Sequence, residues 1–184
     1  ERLFLGQYED YLGCDTVYHD IQHTLDMTLA MARLLAGYEK SVAPADRLGH
    51  ARATMGPISA LVHDAGYIRR RSEDGGLHGA ELTGRHVSRS AAFLRGYLPR
   101  IGLPEQAPIA AQVVHFTGYE MSLDDIELDD PKDSLCGHLL GTADLMAQMA
   151  DRCYLEKCRD RLYAEFVLAG VATRPVPEAD KIQY

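Results

Sequence analysis

Apolar residues recur at intervals of three and four along nearly the whole chain of 184 residues, and this spacing constrains the fold more than any other feature. Such spacing places side chains on one face of an α-helix, whereas a half-buried strand needs strict alternation. Runs of β-branched residues are short and rare. The sequence therefore predicts an all-α fold, a compact multi-helix bundle around one hydrophobic core, with residues 1–184 forming a single domain.

Candidate caps, prolines and glycines give approximate bounds for the helices. The first helix has Asp15 and Thr16 as candidate caps. The predicted helices cover residues 16–38, 46–54, 57–64, 77–98, a segment that begins between Pro104 and Pro108, 132–150 and 151–169. Five acidic residues fall within seven positions of the segment 122–131, which predicts a solvated loop.

Composition excludes several classes of partner. The net charge is −8, and no basic run exceeds Arg69-Arg70-Arg71, so a face for bulk nucleic acid is not expected. No run approaches 18 apolar residues, which argues against a membrane partner. The chain lacks a signal-peptide pattern and a C-x-x-C pair, so we expect a cytoplasmic protein with reduced cysteines. The chain begins with Glu1, which allows for flanking domains, and a homodimer is also compatible.

Eight histidines in an acidic chain suggest metal ligands, since imidazole and carboxylate are common donors. The strongest local pattern is Tyr18-His19-Asp20-Ile21-Gln22-His23-Thr24, which places two histidines four apart in a predicted helix. At that spacing both side chains leave one helix face, so that one can hold a metal while the other meets a leaving group. The alternative is two hydrogen-bonded histidines on a half-buried face.

Two further patterns end apolar runs with ionisable groups. His63-Asp64 follows Ala60-Leu61-Val62, and Asp144 lies among leucine, alanine and methionine residues. A buried carboxylate needs a compensating partner, for which a metal ion is one solution. For Asp144 the alternative is a cap or an ion pair with Arg152 or Arg161.

In the order His, His-Asp, Asp, these residues resemble the HD-domain superfamily of metal-dependent phosphohydrolases over residues 15–170. The segment 18–24 is similar to the Y-H-N-x-x-H-A signature of the class I cyclic-nucleotide phosphodiesterases in that superfamily. The resemblance implies a bundle with a metal site at its centre. It also implies that His23, His63, Asp64 and Asp144 bind a first ion, and that His19 protonates the leaving oxygen.

Three positions depart from the phosphodiesterase pattern. Asp20 replaces Asn, Thr24 replaces Ala, and Tyr67 stands where H-D-x-x-H-P-G has a further His. A second ion remains possible through His78, which resembles the third histidine segment of other HD proteins, and His115.

In that arrangement Asp64 bridges the two ions, and His86 is the backup ligand. One or two divalent ions are therefore implied, and Mg, Mn, Fe, Zn and Ni are not distinguished. His50 and His138 match no motif.

The resemblance implies hydrolysis of a phosphodiester, in a cyclic or other small nucleotide, by a metal-activated water near Asp64, with His19 as acid. A carboxylate such as Asp20 or Asp26 is expected to hold the His19 proton. Three alternatives stay open: a nucleotide phosphomonoesterase, a non-catalytic nucleotide-sensing HD module, and a di-iron oxygenase.

Recognition of the substrate is less defined by the sequence. Arg69, Arg70 and Arg71 could position phosphate or form a solvated loop. Gln148 could face the site, and Gln183 is a candidate for contact with a base.

Overall fold

The protein is described by a computed structural model over residues 1–73 and 76–172. Within these ranges there is no strand, only two isolated bridges between Leu5 and Gly13 and between Tyr11 and Arg70. The all-α prediction is confirmed for this part of the chain. Its α-helices are α1 (Ile21–Ser41), α2 (His50–Val62), α3 (His86–Tyr97), α4 (Ala107–Val113), α5 (Pro131–Met149), α6 (Tyr154–Lys157) and α7 (Tyr163–Leu168).

Short 3-10 helices connect these elements, and a π-helical turn (Cys158–Leu162) joins α6 to α7. The 3-10 helices are Pro44–Asp46, Ala65–Tyr67, Arg71–Glu73, Gly79–Arg85, Leu98–Ile101, Val114–Thr117 and Leu123–Asp125. Among the helices of the described ranges, none has the length and apolar character needed to cross a membrane.

The core lies where α1 packs against α2 and α5. Met27, Met31 and Leu35 recur every four residues on α1 and are buried. This is the apolar stripe that the helical spacing predicts. A separate small cluster joins the N-terminal segment to Ile68, with Leu3 and Tyr11 as its main members.

The first helix begins five residues later than predicted. Asp20 has extended backbone, and its side chain accepts a hydrogen bond from the His23 amide at 2.9 Å, which makes Asp20 the N-cap in place of Asp15 or Thr16. His19 therefore precedes the helix. The expectation that His19 and His23 share one helix face was wrong, although the fold does bring the two rings to 5.8 Å.

The two helices predicted over 46–54 and 57–64 form one helix, α2, with Pro57 inside it. Tertiary packing explains the difference, because Gly56 lies against α1. A Cβ atom at Gly56 would come within 2.6 Å of the Met31 Cε atom. The Gly-Pro pair therefore serves close packing here and does not end the helix.

The bounds of the remaining helices agree in part with those predicted from the sequence. Helix α5 matches the predicted 132–150, whereas 77–98 opens with a 3-10 helix and 151–169 contains the π-helical turn. The acidic loop is more ordered than expected at its end. There Asp130 caps α5, and Arg52 of α2 bonds to both Asp130 and the buried Asp133.

Two glycines bring α5 close to the segment that follows α4. A Cβ atom at Gly137 would lie 2.4 Å from the Phe116 ring, and one at Gly141 would lie 2.4 Å from the Phe116 carbonyl oxygen. Only glycine permits this approach. The contact limits how far α5 can shift along its axis relative to Phe116. It thereby sets the position of Asp144, which lies about one turn after Gly141.

Candidate metal centre

Four predicted ligands converge from three helices. His23 lies in the first turn of α1, His63 and Asp64 follow the last residue of α2, and Asp144 lies on α5. His23 Nε2 is 3.4 Å from Asp64 Oδ2 and 3.2 Å from Asp144 Oδ1. His63 Nε2 is 2.9 Å from Asp64 Oδ2 and 3.9 Å from Asp144 Oδ1. Donor atoms of His23, His63 and Asp64 all lie within 4.8 Å of one another, and Asp144 is not part of this mutually close group.

These separations suit a single ion. At a metal–ligand distance of about 2.1 Å, octahedral donors are about 3.0 Å apart at right angles and about 4.2 Å apart on opposite sides. The separations between 2.9 and 3.4 Å resemble adjacent positions, and 3.9 Å approaches an opposite pair. Two imidazole nitrogens and two carboxylate oxygens are a donor set for first-row divalent ions. The donor atoms of His23, His63 and Asp64 therefore fit a metal, and Asp144 Oδ1 lies beside them.

The His63 ring is oriented as a ligand. Its Nδ1–H donates to the Ala60 carbonyl oxygen at 2.8 Å, which directs Nε2 toward the carboxylates. His63 and Asp64 are 1% and 3% exposed, and His63 Nε2 and Asp64 Oδ2 are both buried without a hydrogen-bond partner. Such unsatisfied atoms are costly in a core, and a cation would satisfy both.

The carboxylates dominate the electrostatics of this cluster. Burial lowers the pKa of His23, but contacts with Asp144 and Asp64 outweigh burial and raise it to about 10. Burial opposes ionisation of Asp64, yet the neighbouring His63 and His19 hold the pKa of its carboxyl well below the usual range. The cluster thus attracts positive charge, whether a proton on imidazole or a metal cation.

His19 lies beside the cluster and is held by a carboxylate from the other end of the chain. Its Nδ1 is 2.5 Å from Glu165 Oε2, while Glu165 Oε1 accepts from the Tyr18 amide at 2.5 Å. Burial raises the pKa of Glu165, but the hydrogen bonds from His19 and the backbone lower it overall. An ionised carboxylate only accepts, so His19 Nδ1 carries the hydrogen and Nε2 is left for another partner.

Sequence reasoning missed Glu165 as a site residue. The expected carboxylate partners of His19 are engaged elsewhere, since Asp20 caps α1 and Asp26 accepts from Gln22 at 2.8 Å. Glu165 is 1% exposed on α7. An acid within the apolar run 162–168 was the available signal, and it is the same signal that identified Asp144.

His86 is the nearest further imidazole to Asp64. Its Nδ1 donates to the Thr83 carbonyl oxygen at 2.7 Å, and its Nε2 is 3.7 Å from Asp64 Oδ1, the carboxylate oxygen not used in the first cluster. The backup ligand of the sequence analysis therefore lies where a second ion could share Asp64. Burial lowers the pKa of His86, which favours the neutral form that binds metals.

His78 and His115 have other surroundings. His78 caps the 3-10 helix Gly79–Arg85, where its Nδ1 accepts from the Ala80 amide at 3.1 Å. His115 is buried and its Nδ1 has no hydrogen-bond partner within the described residues. In the same ranges no ion pair joins either residue to Asp64, so their roles as ligands stay predictions.

The residues predicted to contact the substrate also differ in their surroundings. Arg69 pairs with Asp15 at 2.7 Å, and Arg70 lies over the Tyr11 ring. These contacts do not direct either side chain toward the metal cluster. Gln148 donates to the Tyr18 hydroxyl and lines a small cleft together with His23. Gln183 lies outside the described residues.

No protein-family model, no curated protein and no solved structure matches this chain. The similarity to the HD-domain superfamily therefore stays a prediction, which depends on the sequence motifs.

Proposed function

We propose that this chain is a metal-dependent phosphohydrolase that hydrolyses a phosphodiester in a cyclic or other small nucleotide. The observation that carries the proposal is the close grouping of donor atoms from His23, His63 and Asp64, with Asp144 Oδ1 3.2 Å from His23 Nε2. Two of these atoms, His63 Nε2 and Asp64 Oδ2, are buried 2.9 Å apart without a hydrogen bond. A structural histidine in a core is normally satisfied by protein groups. A cluster that is not satisfied is better explained by a ligand.

These four residues would hold the first cation. When bound, a divalent cation supplies charge neutralisation for phosphate oxygens and a water of lowered pKa. Asp64 has both oxygens directed at imidazoles, Oδ2 toward His63 and Oδ1 toward His86. It would therefore be the residue shared between two ions, with His86 as a ligand of the second.

His19 would protonate the departing oxygen. The hydrogen bond with Glu165 orients the imidazole, while Nε2 stays available to the substrate. Because an alkoxide is a poor leaving group, the nucleotide substrates depend on this proton more than esters of p-nitrophenol do.

The pairing of His19 with Glu165 favours an enzyme over a non-catalytic sensing module. A module that only binds a nucleotide has no need of an imidazole held by a buried carboxylate beside the metal cluster. A nucleotide phosphomonoesterase uses the same residues, so a substrate panel separates it from the phosphodiesterase.

The test uses purified protein supplied with Mn²⁺, Mg²⁺ or Fe²⁺, with bis(p-nitrophenyl) phosphate, cyclic nucleotides and nucleoside monophosphates as substrates. We expect metal-dependent hydrolysis of the diesters, lost in His63→Ala and kept in His50→Ala, an exposed histidine outside the cluster. Hydrolysis of monophosphates alone would favour the monoesterase. No hydrolysis with any metal would refute the proposal.

A further inference from the structure

Tyr67 contacts both imidazoles that flank the metal cluster. It ends the 3-10 helix Ala65–Tyr67, three residues after Asp64, and is 2% exposed. Its ring stacks on His19, with centroids 4.4 Å apart and planes 20° apart, and on His86, with centroids 4.3 Å apart and planes 19° apart. The two imidazole centroids are 6.3 Å from each other.

The Tyr67 phenol lies beside the side chain of Thr83, the residue that also orients His86. The Thr83 hydroxyl donates to the Ala80 carbonyl oxygen at 2.7 Å. The Thr83 carbonyl oxygen in turn accepts from His86 Nδ1. Ring stacking and this hydrogen bond therefore fix the same imidazole from two directions.

The backbone next to Tyr67 is equally fixed. The Gly66 amide donates to the Ser90 hydroxyl at 2.8 Å, and Arg89 Nε donates to the Gly66 carbonyl oxygen at 2.7 Å. Both partners lie on α3, which begins with His86. The backbone that carries Tyr67 is thus fixed by hydrogen bonds, so that its ring can support the imidazoles of His19 and His86.

We propose that Tyr67 is a positioning residue that supports the rings of both His19 and His86, so that His19 stays a proton donor while His86 directs Nε2 toward Asp64. This role rests on the proposed hydrolase function. A flat ring can support a flat imidazole by offset stacking, which an aliphatic side chain of similar volume cannot do. Small displacements of a catalytic group are costly, because reacting atoms must meet within a narrow range of geometry.

The test compares Tyr67→Leu with Tyr67→Phe, which keeps the ring, and with Tyr38→Leu, which removes a partly buried tyrosine ring near the C-terminal end of α1, away from the cluster. Binding of Mn²⁺ is measured by calorimetry and hydrolysis is measured on two esters. Bis(p-nitrophenyl) phosphate has a good leaving group, and diphenyl phosphate has a poorer one that needs more help from an acid.

We expect Tyr67→Leu to weaken the second Mn²⁺ by about 10- to 100-fold while the first binds as before. We also expect kcat to fall by about 10- to 100-fold for diphenyl phosphate and by much less for bis(p-nitrophenyl) phosphate, because the loss is a loss of proton donation. Tyr67→Phe and Tyr38→Leu should keep both properties within about threefold of the wild type. If Tyr67→Leu does not fold, Tyr67→Met, which fills the space with a flexible chain, takes its place.

Equal slowing of both esters together with unchanged binding of both ions would overturn the role of Tyr67. So would a Tyr67→Phe variant as impaired as Tyr67→Leu, since the ring would then not be the group that matters. In either case an active, Mn²⁺-dependent wild type would leave the hydrolase proposal intact. A wild type that binds no Mn²⁺ and cleaves neither ester would refute both.

Discussion

His19 and His23 are four residues apart, yet they have different environments and different proposed chemistry. His23 is in the first turn of α1 and faces Asp64 and Asp144, whereas His19 precedes the helix cap and bonds to Glu165. A ligand must share its lone pair with the ion, while an acid must keep one ring nitrogen for the substrate. The partners of each ring therefore determine which role it can take.

Replacing His19 by Ala separates these roles. We expect turnover to fall by about 10²- to 10⁴-fold, because the leaving oxygen loses its proton donor, while the bound metal is retained. Metal content by elemental analysis and kcat on a nucleotide diester check this. Loss of the metal in His19→Ala would show that His19 is a ligand and that its assignment as the acid is wrong.

Replacing Glu165 by Gln keeps the size of the side chain but removes the charge that pairs with His19. We expect kcat to fall by about 10- to 100-fold, because the carboxylate that orients the proposed catalytic imidazole is lost. Glu127→Gln, at an exposed position of the acidic loop, is the control and should be unaffected. A Glu165→Gln enzyme with wild-type kcat at neutral pH would argue that the pair is only structural.

Metal binding should release protons. Because the carboxylates raise the pKa of His23 to about 10, that imidazole carries a proton at pH 7 unless a cation replaces it. The pKa of His63 is raised as well, despite its burial, by Asp64. We expect the first Mn²⁺ to displace about one proton or more, seen as a binding heat that changes with the ionisation enthalpy of the buffer. A heat that is the same in all buffers would contradict this.

At the scale of elements, the segment after Asp64 is locked to the start of α3 by Gly66. A Cβ atom there would lie 1.7 Å from the His86 carbonyl oxygen. Gly66→Ala should therefore lower the free energy of unfolding by about 3 kcal/mol and weaken metal binding, because Asp64 and His86 must move apart. Gly96→Ala, with open space on the same helix, should be neutral or stabilising by about 0.5–1 kcal/mol. Urea unfolding of both variants measures these changes in the free energy of unfolding. Equal changes in the two variants would refute this packing argument.

Arg89 holds the same segment by charge. It donates to the Gly66 and Ile68 carbonyl oxygens and forms two hydrogen bonds with Glu73, at 2.6 and 2.8 Å. These bonds, with a backbone bond from Arg70, lower the pKa of Glu73 to about 2 from its usual 4.5.

The stabilisation from a lowered pKa is complete above 4.5 and is lost as pH falls toward 2. Since Glu73 is partly exposed, we expect Glu73→Gln to cost no more than about 1 kcal/mol at pH 7, with a difference from the wild type that shrinks below pH 4.5. Urea titrations across this range measure it. A difference that stays constant with pH would contradict the ion pair.

Some helix boundaries could be predicted from local sequence, whereas others depend on tertiary packing. Helix α5 could be predicted because Asp130, Pro131 and its apolar spacing agree. The start of α1 was misplaced because Asp15, Thr16 and Asp20 are all acceptable caps, and only Asp20 accepts from the helix amide in the fold. The fusion of two predicted helices at Pro57 depends on contact with α1, which local sequence does not encode.

At the scale of the whole molecule, the candidate ligands were predicted from local chemical patterns and from the resemblance to the HD-domain superfamily. His63-Asp64 and Asp144 stood out because ionisable groups interrupt apolar runs, and His23 because it lies four residues after His19. The fold brings these residues close together. Glu165 was missed because its partner His19 is 146 residues away and no spacing rule connects them. The choice between His78 and His86 depends on where a 3-10 helix gives way to α3, which the residue pattern did not predict.

The acidic residues of the molecule have different surroundings. The chain has a net charge of −8, but the acids nearest the proposed site are the ones that contact histidine. With divalent cations bound, the site would carry local positive charge and suit an anionic phosphate ester within an acidic protein. Net charge alone would have suggested the opposite.

The central claim is that the four-residue cluster holds a divalent metal, and a metal titration tests it most directly. Purified protein is stripped with EDTA and titrated with Mn²⁺, with calorimetry for stoichiometry and thermal unfolding for stability, beside His63→Ala and the control His50→Ala. We predict one or two ions per chain, a higher Tm with Mn²⁺ than with EDTA, and loss of both effects in His63→Ala alone. A wild-type protein that binds no Mn²⁺ and unfolds at the same temperature with and without EDTA would contradict the account.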